Sequence, residues 1–385
     1  MMVVLHLLKT AVGASWALRQ TTELVKLGVE VHLALPDGPM VDKYRAAGVK
    51  VHLLDPSLEI KKPWLNFSKA KAFKKLVEEI NPDLVHSHFV ATTLFMRFAM
   101  RKMKIKKIFH VPGPLHLEHK IFRTLDLWSA NQFDYWMASC LWTRQAYQRF
   151  GVEPSRIGLA YYGVNASDFT FNRDVEESLK EKLGLPQETF LLGMVAFFYA
   201  PKAYLGQKRG LKGHEDLIDA IAIVKQIHQN VACVFVGGPW GDTAPYFESV
   251  KTYAQQKAPG ACHFLGHRND VPALYPQFDL AVHPSHSENV GGAVESMYAG
   301  VATLTSDVGG FPDLVIDGET GYMAESKNPQ SIAQKIIQAM ESSEERLQMI
   351  ENASKKVASV MNVQDNAKQV KDFYVQILSG NQVGA

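Results

Sequence analysis

The chain has 385 residues, 46% hydrophobic and 21% charged, a balance that excludes a disordered or low-complexity protein and suits two or three domains with buried cores. No apolar run reaches the roughly 20 residues needed to span a bilayer, and residues 1–8 carry no basic leader or cleavage site, so a cytoplasmic enzyme is expected. The net charge of +2 conceals an asymmetry: residues 1–160 hold 23 Lys and Arg against 13 Asp and Glu (+10), and residues 161–385 hold 18 against 26 (−8).

In chain order, residues 3–8 are predicted as a first strand, followed by a small-residue turn around Gly13, a helix over 17–27 that stops at Gly28, and a second strand over 29–35. Strand, helix and strand in that succession build a parallel sheet. Only Gly13 is a glycine in the first turn, so the GxGxxG fingerprint cannot be written and a nicotinamide cofactor loses support. The alternation continues with strands at 49–54, 83–88, 107–111 and 135–139, a Lys-rich helix ending at Ile80, helices over about 91–103 and 141–150, and a loop over 112–118. A strand and turn over 157–165 mark the domain joint. The basic residues of 61–75, interleaved with Trp64 and Phe67, suit either a solvated helix face or a surface for an anionic acceptor or membrane. Nucleic acid is not indicated, because the second half is acidic and no recognised motif occurs.

A second alternation follows. Strands are predicted at 190–198, 231–236, 263–266, 279–283 and 301–306, with an insert over 199–210 and a helix over 215–229. Polar helices over about 330–342, 343–361 and 364–379 close the chain, the last of which is expected to return to the first domain. Cys140, Cys233 and Cys262 are far apart and set in apolar segments, as reduced core residues would be, and no paired-Cys, HExxH or EF-hand spacing suggests a metal.

The stretch 283–295 holds Glu288, Asn289, Val290, Gly291, Gly292 and Glu295 between a buried strand and a helix. Gly291 and Gly292 let a ligand approach bare backbone, and the first amides of the following helix are unpaired donors at its positive end, which favours a phosphate or a polar sugar. Two carboxylates facing one crevice suit the hydroxyls of a ribose and a hexose, whereas the bland alternative is a capping Glu and a solvated Glu.

With these residues in order, the chain resembles the retaining, GT-B-fold glycosyltransferases of family 4. The resemblance rests on Lys212-Gly213, Val236-Gly237-Gly238, Phe264-Leu265-Gly266, Pro284-Ser285, Glu288, Glu295, Asp307-Val308-Gly309-Gly310 and Gly318-Glu319-Thr320-Gly321, with Tyr162-Gly163-Val164-Asn165 at the joint. It implies an α/β fold of two doubly wound, Rossmann-like domains facing a central cleft. Residues 1–165, joined by a C-terminal helix over about 364–385, would bind the acceptor, and residues 166–363 would bind the nucleotide sugar.

By the same resemblance, Glu295 holds the donor ribose and Glu288 the transferred sugar, while Asn289, Val290, Gly291 and Gly292 supply backbone contacts. Lys212 neutralises the diphosphate, Gly13 lets it approach the first domain, and Gly266 to Arg268 edge the base. Six residues separate the two glutamates, one fewer than the family pattern, which would put the first at Ser287. The family's diphosphate Arg is missing from its usual turn, with Arg209 as the substitute, and its active-site His is either His110 or His116. No Asp-x-Asp metal motif occurs, so a metal-independent, cofactor-free transferase is expected. UDP-sugar is the expected donor, with a lipid-linked or glycan hydroxyl as acceptor and peripheral contact at the inner membrane face through the basic domain. A nicotinamide oxidoreductase with Glu30 on the ribose, a noncatalytic two-lobed binding protein and a phosphorylase-like enzyme stand as the alternatives.

Overall fold

Two parallel sheets organise the chain in a computed structural model that describes residues 1–169, 171 and 178–380. One unit comprises residues 1–165 with the described part of 361–385, and the other residues 166–360. Positions 381–385 of the expected C-terminal segment lie outside the described residues.

The first sheet contains β1 (Val3–Leu7), β2 (Glu30–Leu35), β3 (Lys50–Leu53), β4 (Leu84–His88), β5 (Lys106–His110), β6 (Asp134–Ala138) and β7 (Ile157–Leu159). Their order is β3-β2-β1-β4-β5-β6-β7, every pair parallel. Helices cover both faces of such a sheet, which is why β1 and β4 read as nearly continuous buried runs. Helix Val363–Ser379 returns to this unit and sets Val370, Phe373, Tyr374 and Ile377 into the same core as Val4, Leu33, Ile108 and Met137. Its entry is tight: a Cβ on Gly163, whose φ is +69°, would meet Val363 Cα at 2.6 Å.

The second sheet contains β8 (Phe190–Val195), β9 (Val231–Val236), β10 (Cys262–Gly266), β11 (Leu280–His283), β12 (Thr303–Ser306) and β13 (Tyr322–Ala324), again all parallel, in the order β10-β9-β8-β11-β12-β13. Strand order reverses between β8 and β11. A doubly wound sheet opens a crevice at the carboxyl ends of the strands where its order reverses. Close packing of β8 leaves no room for a side chain at Gly193, where a Cβ would lie 2.1 Å from the Phe278 ring.

Three local expectations are corrected. The loop expected over 112–118 contains helix Leu115–Glu118, followed by helix Lys120–Ser129, which buries Asp126 and leaves Ile121, Leu125 and Trp128 exposed. Helix Ala244–Lys257 was not foreseen, and the helix expected to 229 ends at Val224 as Ile227 turns to solvent. Cys140, Cys233 and Cys262 are free thiols, and burial pushes Cys262 up to about 12. No helix among the described residues is long and apolar enough to cross a membrane.

Candidate active site

The crevice of the second unit is built from the end of β8, the end of β11 and the turn that leads into helix Gly291–Tyr298. Gly292, the second residue of that helix, lies against His283, and a Cβ there would lie 2.6 Å from the imidazole Nδ1. The ring is fixed from behind by Ser296 Oγ, 3.2 Å from its Nε2, which in turn accepts from Thr303 Oγ1 at 2.8 Å. Burial lowers His283 to about 4, so it is neutral.

Glu288 stands on the turn, with its side chain 15% exposed. One carboxylate oxygen accepts from the Asn289 amide at 3.1 Å, and the other accepts from the Lys212 ammonium. Gly213 makes that meeting possible. With φ at +76° and a virtual Cβ 2.1 Å from the Pro284 carbonyl, it lets the start of helix His214–Val224 lie against the turn. Burial alone would push the Glu288 carboxyl up, but the Lys212 ammonium outweighs it and holds the carboxyl below its ordinary value. Lys212 is raised reciprocally, because Glu288 outweighs the effect of burial on the ammonium.

The pair lines a cavity of about 140 Å³ together with Ala196, Phe197, Tyr199, His283, Ser285, Gly292 and Phe311. Glu295 is half-buried on the helix beyond the cavity lining, where the buried Tyr275 hydroxyl donates to it at 3.3 Å. Val290 is buried at the start of that helix, and Asn289 Oδ1 is buried without a hydrogen-bond partner. Chemically, the crevice offers an ammonium, an ionised carboxylate and glycine amides within one small volume.

Other sequence-selected residues lie apart from this group. Arg209 is engaged by carboxylates, 2.6 Å from Asp216 and 2.7 Å from Asp219, and the cation on the cavity is Lys212, two residues past the insert. Gly266 ends β10 with φ at +66°, and Arg268 is paired with Asp270 at 2.7 Å. In the first unit, Gly13 has φ at +68° and open space where a Cβ would be. His110 is buried at the end of β5, its Nε2 3.1 Å from the Ala160 carbonyl and its ring stacked on Tyr162. His116 lies in a buried network: its Nε2 is 3.0 Å from the Tyr147 hydroxyl, which donates to Asp126 at 2.7 Å.

Sequence reasoning did not select Tyr199, His283 or Phe311, which line the cavity, or Tyr275, which orients Glu295. Nor did it select Phe197 and Trp240, whose rings meet at 5.0 Å; Phe197 also stacks at 5.9 Å on His267, inside the segment 266–268 expected to edge the base. His283 closes a strand inside the very stretch singled out, and its position at the strand's carboxyl end was the available signal.

Two doubly wound sheets, the second with a crevice at its switch point, are the arrangement of the GT-B class, and the family models place the chain among its glycosyltransferases. The family model for glycosyl transferases group 1 matches residues 203–356, and that for Glycosyltransferase Family 4 matches residues 14–168. The chain belongs to family 4 of the glycosyltransferases.

Among curated relatives, D-inositol 3-phosphate glycosyltransferase of Corynebacterium glutamicum is 25% identical over 61% of this chain and 55% of its own. Lipopolysaccharide 1,2-N-acetylglucosaminetransferase of Salmonella typhimurium is 28% identical over 53% of this chain and 52% of its own. The matches thus span about half the length of these relatives. Among solved structures, Anabaena HepE in complex with UDP has a TM-score of 0.79 at 19% identity, over 99% of this chain and 100% of its own. Sucrose-phosphate synthase from Thermosynechococcus elongatus has a TM-score of 0.78 at 17% identity, over the same shares. The oxidoreductase alternative finds no support among them.

Proposed function

We propose that this chain is a retaining, metal-independent glycosyltransferase that moves a sugar from a UDP-sugar to a hydroxyl acceptor in glycan, polysaccharide or glycolipid biosynthesis. The observation that carries the reading is the Lys212–Glu288 pair on the switch-point crevice, beside the glycines that open a helix. A nucleoside diphosphate leaving group needs cations and oriented amides, and these contribute most where negative charge develops. On donor binding, Lys212 parts from Glu288 to meet the diphosphate, and Glu288 turns to the sugar hydroxyls. Glu295, held by Tyr275, receives the ribose. The acceptor attacks on the face from which the diphosphate departs, and the leaving phosphate takes its proton, so Glu288 orients the sugar and does not attack it.

The structures of HepE with UDP and with UDP-glucose support the choice of donor. Because the chain has no Asp-x-Asp motif, the diphosphate charge is met by Lys212 and backbone amides, and added Mg²⁺ or Mn²⁺ leaves turnover unchanged. The first unit takes the acceptor. Its exposed Trp64 and Phe67, set among the lysines of 61–75, give it peripheral contact with an anionic membrane carrying a lipid-linked acceptor.

A thermal-shift screen of UDP, GDP, ADP and TDP tests the donor assignment. A nucleotide present at 100 times its Kd stabilises its target by about 2.7 kcal/mol. UDP is expected to give the largest shift, and Glu295→Ala to reduce it. Equal shifts from all four nucleotides, or an unchanged UDP shift in Glu295→Ala, would contradict the reading.

A further inference from the structure

One face of the first sheet carries a cluster of histidines outside the crevice described above. Register pairs His6 of β1 with His86 of β4, and His88 of β4 with His110 of β5, while His86 and His88 alternate onto the same face. All four are buried. Sequence spacing hides the grouping, since His6 and His88 are 82 positions apart.

Three of these rings are arranged as ligands. One nitrogen from each of His6, His86 and His88 lies within 4.8 Å of the others. His6 Nδ1 and His88 Nε2 are 3.1 Å apart, and His86 Nε2 is buried with no hydrogen-bond partner. The opposite nitrogens meet tyrosine hydroxyls: His86 Nδ1 lies 2.5 Å and His6 Nε2 3.3 Å from Tyr374, and His88 Nδ1 lies 3.2 Å from Tyr162. One nitrogen turned inward and the other fixed by an outer partner is how proteins hold an imidazole for metal binding. Neutral imidazole is the ligating form. Within the trio His6 Nδ1 and His88 Nε2 are in hydrogen-bond contact with each other, and His86 Nε2 is the nitrogen left without a partner.

We propose that His6 Nδ1, His86 Nε2 and His88 Nε2 bind a divalent transition-metal ion, with Zn²⁺ suited to three imidazoles and a water in a tetrahedral set. The ion ties β1 to β4 where the strand order of the first sheet reverses and, through Tyr374, holds the returning helix 363–379.

The test uses the untagged full-length chain, stripped with chelator and titrated with Co²⁺ under visible absorption. One equivalent of Co²⁺ is expected to give the ligand-field bands of a four-coordinate histidine site and to be displaced by one equivalent of Zn²⁺. His86→Ala is expected to abolish the bands. Should circular dichroism show that variant unfolded, Tyr374→Phe decides, because it keeps the ring while removing two outer hydrogen bonds. Its Co²⁺ affinity is expected to fall by about tenfold to a hundredfold. Absence of the bands from the wild type overturns the proposal. So does Co²⁺ binding unchanged in the folded deciding variant, which would assign the ion to outlying histidines such as His32 and His52.

Discussion

Glu288 and Lys212 neutralise each other in the free protein, and the donor has to separate them. Glu288→Gln keeps the shape and a hydrogen-bonding group but removes the charge, so turnover is expected to fall by about 10²-fold to 10³-fold while UDP binding is retained. Steady-state kinetics alongside calorimetric UDP titration checks this; loss of both together would instead mean a collapsed turn. The pH dependence has a definite sign. The folded carboxyl of Glu288 is held below its ordinary 4.5, so its ionised form, and the stability the pair supplies, is present above that value and is lost as pH falls through the lower folded one. In Lys212→Met the carboxyl keeps its burial and loses its cation. The acid limb of the residual kcat/KM profile, which reports the free protein, is then expected to move to higher pH, and an unmoved limb would mean that another group controls it.

At the scale of elements, the first unit is braced by Arg97 on helix Val90–Ala99. Its guanidinium donates to Asp126 of helix Lys120–Ser129 and to Asp134 of β6, each at 2.8 Å. All three side chains are buried, so removing one partner strands a charge. Arg97→Ala is expected to cost about 3–5 kcal/mol in urea unfolding, and a loss below 1 kcal/mol would show the network to be unimportant. Of these elements, helix 120–129 was missed although Ile121, Leu125 and Trp128 have helical spacing; that face meets solvent, and what anchors the helix is a carboxylate tied to an arginine 29 positions away. The parallel strands were legible because burial on both faces makes each one apolar almost throughout. The turn 288–292 was legible for a different reason: adjacent glycines and an acidic residue before a helix have a bland reading alone, and their place in the order of the family's motifs singled them out. Tyr275 and Tyr199 were not, because their positions depend on packing between separate elements.

Over the whole molecule, the chain ends by completing its first unit. Deleting residues 363–380 would expose the apolar partners of Val370, Phe373, Tyr374 and Ile377. Each of these side chains stabilises by about 1.5–3 kcal/mol on burial, so the truncated chain is expected to lose the first unit's thermal transition and keep that of the second, by calorimetry. The charge asymmetry belongs to this scale too. Vesicles of anionic lipid are expected to co-sediment the chain at low salt and release it at high salt, with Trp64→Ala and Phe67→Ala weakening capture; capture insensitive to both salt and these substitutions would contradict a basic, aromatic docking face.

The most direct test of the whole account is a crystal structure with a bound UDP-sugar. The expected density puts phosphates against the amides of Gly291 and Gly292, the hexose on Glu288, the ribose on Glu295 and Lys212 released to the diphosphate. A nucleotide bound away from the crevice between β8 and β11, with Lys212 still paired to Glu288, would contradict it.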